Sequence, residues 1–160
     1  GPLSKVFDMP DNFIAPKVVL LGACTLLLAA CGMGSANLKG DAATLAACDS
    51  GPHCVSSQSA DPERQVQPLH YSGGREAARK RLLAVLGAQE RLTLVTTTPD
   101  YIHAQVTTPL MRYVDDLEFL FSANFPLIDV RSSSRIGYYD FNANRNRVEG
   151  IREQFQQTLD

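Results

Sequence analysis

Apolar residues change their spacing along this chain, and the changes divide it into three stretches. The first centres on an unbroken apolar run, Val18 to Ala30, reading VVLLGACTLLLAA. The second, Ala36 to Ala47, is small and polar and reads as a tether. From Cys48 onward the periodicities of a folded domain begin. Ala78, Leu82, Val85 and Leu86 recur at helical spacing, predicting a helix over Arg75 to Leu86 with Gly73-Gly74 before it and Gly87 ending it. Four strands are then predicted, over 91–97, 101–108, 111–121 and 127–134. Thr98-Pro99-Asp100, Pro109 and Ser122–Pro126 supply the breaks between them. After a loop over 137–144, a last helix is predicted from a cap at Asn144 to about Leu159, burying Val148, Ile151, Phe155 and Leu159. Helix, four meandering strands and helix imply an α+β domain: one four-stranded antiparallel sheet packed with two helices.

Bulk properties narrow the function classes. The 160 residues carry a formal net charge of -2 and no Trp, so neither a basic face nor an indole platform for nucleic acid is expected. The apolar content suffices for one core. Internal repeats and long low-complexity tracts are not evident.

The first stretch reads as a targeting leader over residues 1–30. Gly1-Pro2 is not a natural start, residues 1–8 read as an added remnant, and Met9 is a plausible native start. The apolar run of 13 residues is too short for a bilayer core, which needs about 20, and suits the core of a secretory signal. Leu28-Ala29-Ala30-Cys31-Gly32 then resembles a bacterial lipobox, whose Cys thiolate receives a diacylglycerol before the preceding peptide is cut. The opposing reading is a buried helix with a chance Cys. On the lipobox reading Cys31 is lipidated, 31–47 form a tether, and 48–160 form the exported domain. Gly32, standing where Asp would favour inner-membrane retention, implies the outer membrane facing the periplasm in a Gram-negative host.

Export changes the meaning of the remaining cysteines. With Cys24 discarded and Cys31 lipidated, Cys48 and Cys54 remain in an oxidising compartment, where paired thiols form disulfides. Gly51 and Pro52 supply the turn between them. The rival is a zinc site from Cys48, His53, Cys54 and His70, although the spacing fits no usual ligand pattern.

Charged residues collect in the second half of the domain. Strand alternation puts Asp116 and Glu118 on one face of the third strand, roughly 7 Å apart at Cα, and Arg131, Ser133 and Arg135 on one face of the fourth. The last helix adds Arg145, Arg147 and Glu149, with Arg145 and Glu149 spaced to pair. A structural ion-pair network is the plain reading. The alternatives are an anion or small-molecule groove lined by Arg131, Arg135 and Arg145, and a hydrolase using Asp116 or Glu118. His103, mid-strand, reads as a satisfied structural residue. No nucleophile elbow, P-loop or zinc-protease motif occurs, so no catalytic residue, metal or cofactor is assigned.

Several segments together resemble the DUF1499 family. They are Cys54-Val-Ser-Ser-Gln58, Pro68-Leu-His-Tyr71, Tyr101-Ile-His-Ala104, Tyr113-Val-Asp-Asp-Leu-Glu-Phe119, Val130-Arg-Ser-Ser-Ser-Arg-Ile-Gly-Tyr138 and Asn144-Arg-Asn-Arg-Val-Glu-Gly-Ile-Arg152. The resemblance covers about Cys48 to Phe155. It implies that the charged positions are the family's signature: Asp115, Asp116 and Glu118 on one strand, Arg131, Ser132, Ser134 and Arg135 on the next. Tyr138 and Asp140 in the loop and Asn144, Arg145, Arg147 and Glu149 on the helix complete it. It implies no activity. The expectation is a lipid-anchored envelope protein acting as a binding or accessory domain, with the membrane and an envelope protein or small ligand as partners, and no nucleic acid.

Overall fold

The computed structural model describes residue 38, residues 44–137 and residues 139–157. The chain divides into two units, residues 1–30 and residues 31–160, and every described residue belongs to the second. The elements are β1 (Cys54–Ser56), β2 (Leu69–His70), α1 (Arg75–Gly87), β3 (Leu92–Thr97), β4 (Tyr101–Thr107), β5 (Val114–Phe121), β6 (Leu127–Ser134) and α2 (Ala143–Gln157). The strands form one antiparallel sheet in the order β1-β6-β5-β4-β3, with β2 also paired to β6. The α+β class and the β3–β6 meander match the sequence pattern. The expected four strands become six. β1 and β2 span 3 and 2 residues, too short to show alternation. They are strands because the outer edge of β6 accepts them, Cys54 opposite Ser133 and Leu69 opposite Ile128.

One face of the sheet carries both helices. Ile102, Leu117, Phe119, Phe121, Ile128 and Val130 meet Leu82, Val85 and Leu86 of α1 and Val148, Ile151 and Phe155 of α2 in a single buried cluster. The other face carries a smaller cluster of Leu45, Tyr101 and Leu120. Residues 44–47, expected as tether, therefore belong to the domain. Leu45 is buried, and its amide donates to Gln58 Oε1 at 2.8 Å.

Two other boundaries move for identifiable reasons. β5 starts at Val114 rather than 111, because Arg112 takes a left-handed φ of 56° that interrupts the extended run. Asn144 does not cap α2; it lies buried inside the first turn, and its amide donates to Asp140 Oδ2 at 3.1 Å. Leu159, the leader and Cys31 lie outside the described residues. Among the described residues no helix is long and apolar enough to cross a membrane.

Candidate functional site

Side chains alternate across β5, so Asp116 and Glu118 leave one face while Asp115 leaves the other beside Leu117 and Phe119. The charged residues form two clusters separated by the sheet. Both are ion-pair networks, and neither is the single groove of the alternative reading.

The first cluster lies on the face away from the helices. Register places Glu118 opposite both His103 on β4 and Arg131 on β6. Glu118 Oε1 accepts from the Tyr101 hydroxyl at 2.6 Å, and Oε2 accepts from Arg131 Nη1 at 3.1 Å. Asp116 takes a bidentate grip from Arg135, Nε to Oδ2 at 2.7 Å and Nη2 to Oδ1 at 2.9 Å. His103 Nε2 lies 2.7 Å from Asp116 Oδ1. Glu118 is 0% exposed, and Asp116, His103 and Arg131 are each 3% exposed, so these are interior ion pairs.

Electrostatics follow from that burial. Desolvation would raise the Asp116 carboxyl, but the hydrogen bonds and charges of His103 and Arg135 outweigh it and hold the group below its ordinary value of 3.8. Arg135 is raised by its hydrogen bond to Asp116. Desolvation, reinforced by the hydrogen bond to Glu118, pushes the Tyr101 hydroxyl far above its ordinary range. Tyr101 is a fixed proton donor at physiological pH. Arg131 Nε is buried without a partner, beside a cleft of about 80 Å³ lined by Asp49, His53, Asp116, Arg131, Ser133 and Arg135 among others.

The second cluster lies between the sheet and α2. Arg147 donates to Asp115 Oδ2 at 2.6 Å, Ser132 Oγ at 3.0 Å and Asn144 Oδ1 at 2.8 Å. Ser132 Oγ donates to Asn144 Oδ1 at 2.6 Å. The Asn144 amide nitrogen reaches the His53 carbonyl at 3.0 Å, Ser134 Oγ at 2.9 Å and Asp140 Oδ2 at 2.8 Å. One side chain thus ties α2, β6 and the segment before β1 together.

Two expectations are corrected. Arg145 does not join Arg131 and Arg135; it donates to the carbonyls of Gln65 at 2.9 Å and Glu63 at 2.6 Å, on the helix side. Arg145 and Glu149 do not pair, because Glu149 accepts from Arg152 Nε at 2.9 Å while Arg152 also holds the Pro68 carbonyl at 2.6 Å. His103, by contrast, is the satisfied structural residue that its mid-strand position suggested, 3% exposed and bonded to Asp116. Pairing His103 and Tyr101 with the acidic strand by register would have revealed both, since alternate residues of neighbouring strands share a face. The Tyr138 side chain lies outside the described residues.

Cys48 and Cys54 are disulfide-bonded, with Cα atoms 5.6 Å apart, which removes both thiolates from the rival zinc set. Among the described residues no group of three or more His, Cys, Asp or Glu is placed to hold a metal ion.

Chemically, the arrangement favours holding over reacting. Both carboxylates on the face away from the helices are held by charged or hydroxyl donors, and Glu118 is 0% exposed. A family model described as a protein of unknown function, DUF1499, matches residues 44–155. The match begins at the Leu45 arm and runs into the last turns of α2. No curated protein matches the chain.

Proposed function

Because this chain belongs to the DUF1499 family of proteins of unknown function, we propose its role from its own residues: an exported, lipid-anchored domain of the cell envelope that binds or assists another envelope component. The observation that carries the reading is the Cys48–Cys54 disulfide, 17 residues after the lipobox-like Cys31. Structural disulfides persist in oxidising compartments, and a lipobox places a chain in one. Binding is favoured over hydrolysis because Asp116 and Glu118 are already paired and buried. The diacylglycerol and the further acyl chain of a mature lipoprotein hold a domain stably where one chain alone would not.

Labelling of growing cells with a clickable fatty acid tests the anchor. The expected result is a labelled protein in the membrane fraction, with label and membrane association both lost in Cys31→Ser. Label retained in Cys31→Ser, or none in the native chain, removes the anchored reading. Copurification of an envelope component from detergent extracts tests the binding half.

A further inference from the structure

Five large apolar side chains stand in solvent on two neighbouring loops at one end of the sheet. Leu110 is 87% exposed, Met111 60%, Ile136 36%, Tyr139 58% and Phe141 82%. The loops are neighbours because the strands they leave are paired. Arg135 N donates to Val114 O at 3.1 Å, joining the end of β6 to the start of β5. Pro109 of one loop and Ala143, just after the other, line a common cleft. Soluble surfaces carry single apolar residues routinely, but clusters of this kind mark contact sites.

We infer that these two loop tips form a second membrane contact, inserting Leu110, Met111, Tyr139 and Phe141 into the headgroup boundary of a bilayer. Shape selects a bilayer. The apolar groups stand on projecting loops rather than line a groove, and projecting Leu, Phe and Tyr suit the interfacial layer. The first loop, Thr108-Pro-Leu-Met-Arg-Tyr113, contains exposed Arg112 and no acid. The acid of the second loop, Asp140, is turned toward the start of α2, accepting from the backbone amides of Asn142 and Asn144. Phe141 and Tyr139 stack edge to face at 5.0 Å, and Arg112 (56°), Phe141 (53°) and Asn142 (62°) take left-handed φ values that mark tight turns in both loops.

Reach permits both contacts at once. The arm meets the sheet near the Tyr101–Leu120 pair, at the opposite end from the tips. β5, with 8 residues, is about 26 Å long. The chain from Cys31 to Thr44 spans up to about 45 Å when extended.

The inference concerns the domain itself, so the test uses the chain from Gly32 onward, which contains every described strand, both helices and the whole core. The protein has no Trp, so Phe141→Trp supplies a sole indole at the tip and Val95→Trp a control on the β3 edge. With vesicles of phosphatidylethanolamine and phosphatidylglycerol, the tip indole is expected to shift to the blue and the control to stay unchanged. Leu110→Asp/Phe141→Asp is expected to lower vesicle binding by at least about tenfold, with thermal stability unaltered at these exposed positions. No binding by the native domain overturns the inference. Binding unchanged in the double variant overturns it too, as does an equal shift at both indoles. Self-association lost in the double variant, without vesicle binding, assigns the tips to a second copy instead. Failure of Cys31 acylation leaves this experiment untouched, so the two readings fail separately.

Discussion

Asp115 and Asp116 are consecutive in β5 yet serve opposite faces of the sheet, one held by Arg147 of α2 at 2.6 Å and the other by Arg135 at 2.7 Å. A strand that places adjacent carboxylates in two buried environments needs a cation on each side. Arg135, the residue just after β6, supplies one and α2 supplies the other. The consequence is that the sheet carries buried ion pairs on both faces, one beside the apolar core under α2 and one on the opposite side.

Breaking one of these pairs is expected to cost more than removing it whole. Arg131→Met would leave the Glu118 carboxylate, 0% exposed, without its guanidinium, at a cost of about 3–5 kcal/mol. Arg131→Met/Glu118→Leu would remove both charges and recover most of that loss, since well-packed apolar replacements of buried ion pairs are often near neutral. Urea unfolding of the two single variants and the double variant provides the cycle. Additive losses would show that the two residues do not stabilise each other.

Asp116 gives a pH prediction whose sign can be worked out. Its carboxyl is held below the ordinary 3.8, so the folded chain binds this proton less readily than the unfolded chain. The stabilisation is complete above the unfolded value, near 4, and is lost as pH falls through the folded value. Asp116→Asn lacks it at every pH. The stability gap between the native chain and Asp116→Asn should therefore be widest above about pH 5 and close toward pH 2. Urea midpoints measured across that window check it; a constant gap would assign the effect to packing.

Much of this architecture is legible in the sequence where elements are long. The alternation in 127–134 and the helical stripe of Ala78, Leu82, Val85 and Leu86 predict β6 and α1 nearly to the residue. Cys54–Ser56 and Leu69–His70 are invisible because their strand character comes from β6 and not from their own pattern. The face shared by Asp116 and Glu118 follows from alternation alone, and so does that shared by Arg131 and Arg135. What alternation does not state is which element covers which face. Arg145 and Arg147 are two apart on one helix and point to different partners, Arg145 to loop carbonyls and Arg147 to Asp115. Helical phase decides that difference.

Asn144 is predicted to tolerate loss better than charge. As an amide it accepts from Ser132 and Arg147 and donates to His53 O, Ser134 and Asp140. Asn144→Ala removes these bonds and should cost about 2–3 kcal/mol. Asn144→Asp keeps the shape but turns an acceptor toward the Asp140 carboxylate and the His53 carbonyl, so it should cost more than Ala. Thermal unfolding at neutral pH ranks the two; Asp tolerated better than Ala would mean that Arg147 rather than the amide orientation controls the site.

The disulfide tests how far the sheet depends on closure of the arm. Cys48–Cys54 closes a loop with a sequence separation of 6, and a loop that short contributes about 2 kcal/mol. Cys48→Ser/Cys54→Ser should lose about that much while the β4–β5–β6 sheet persists, since its core does not include Cys48. Leu45 and its bond to Gln58 would then be left to hold residues 44–48 against Tyr101 and Leu120. Hydrogen exchange should accelerate over 44–50 and remain slow in β5 and β6. If Leu45→Ala is added, the arm is expected to become a site of proteolytic cleavage without unfolding of the remainder. Global unfolding of the variant lacking the disulfide would show instead that closure of the arm is required for the sheet itself.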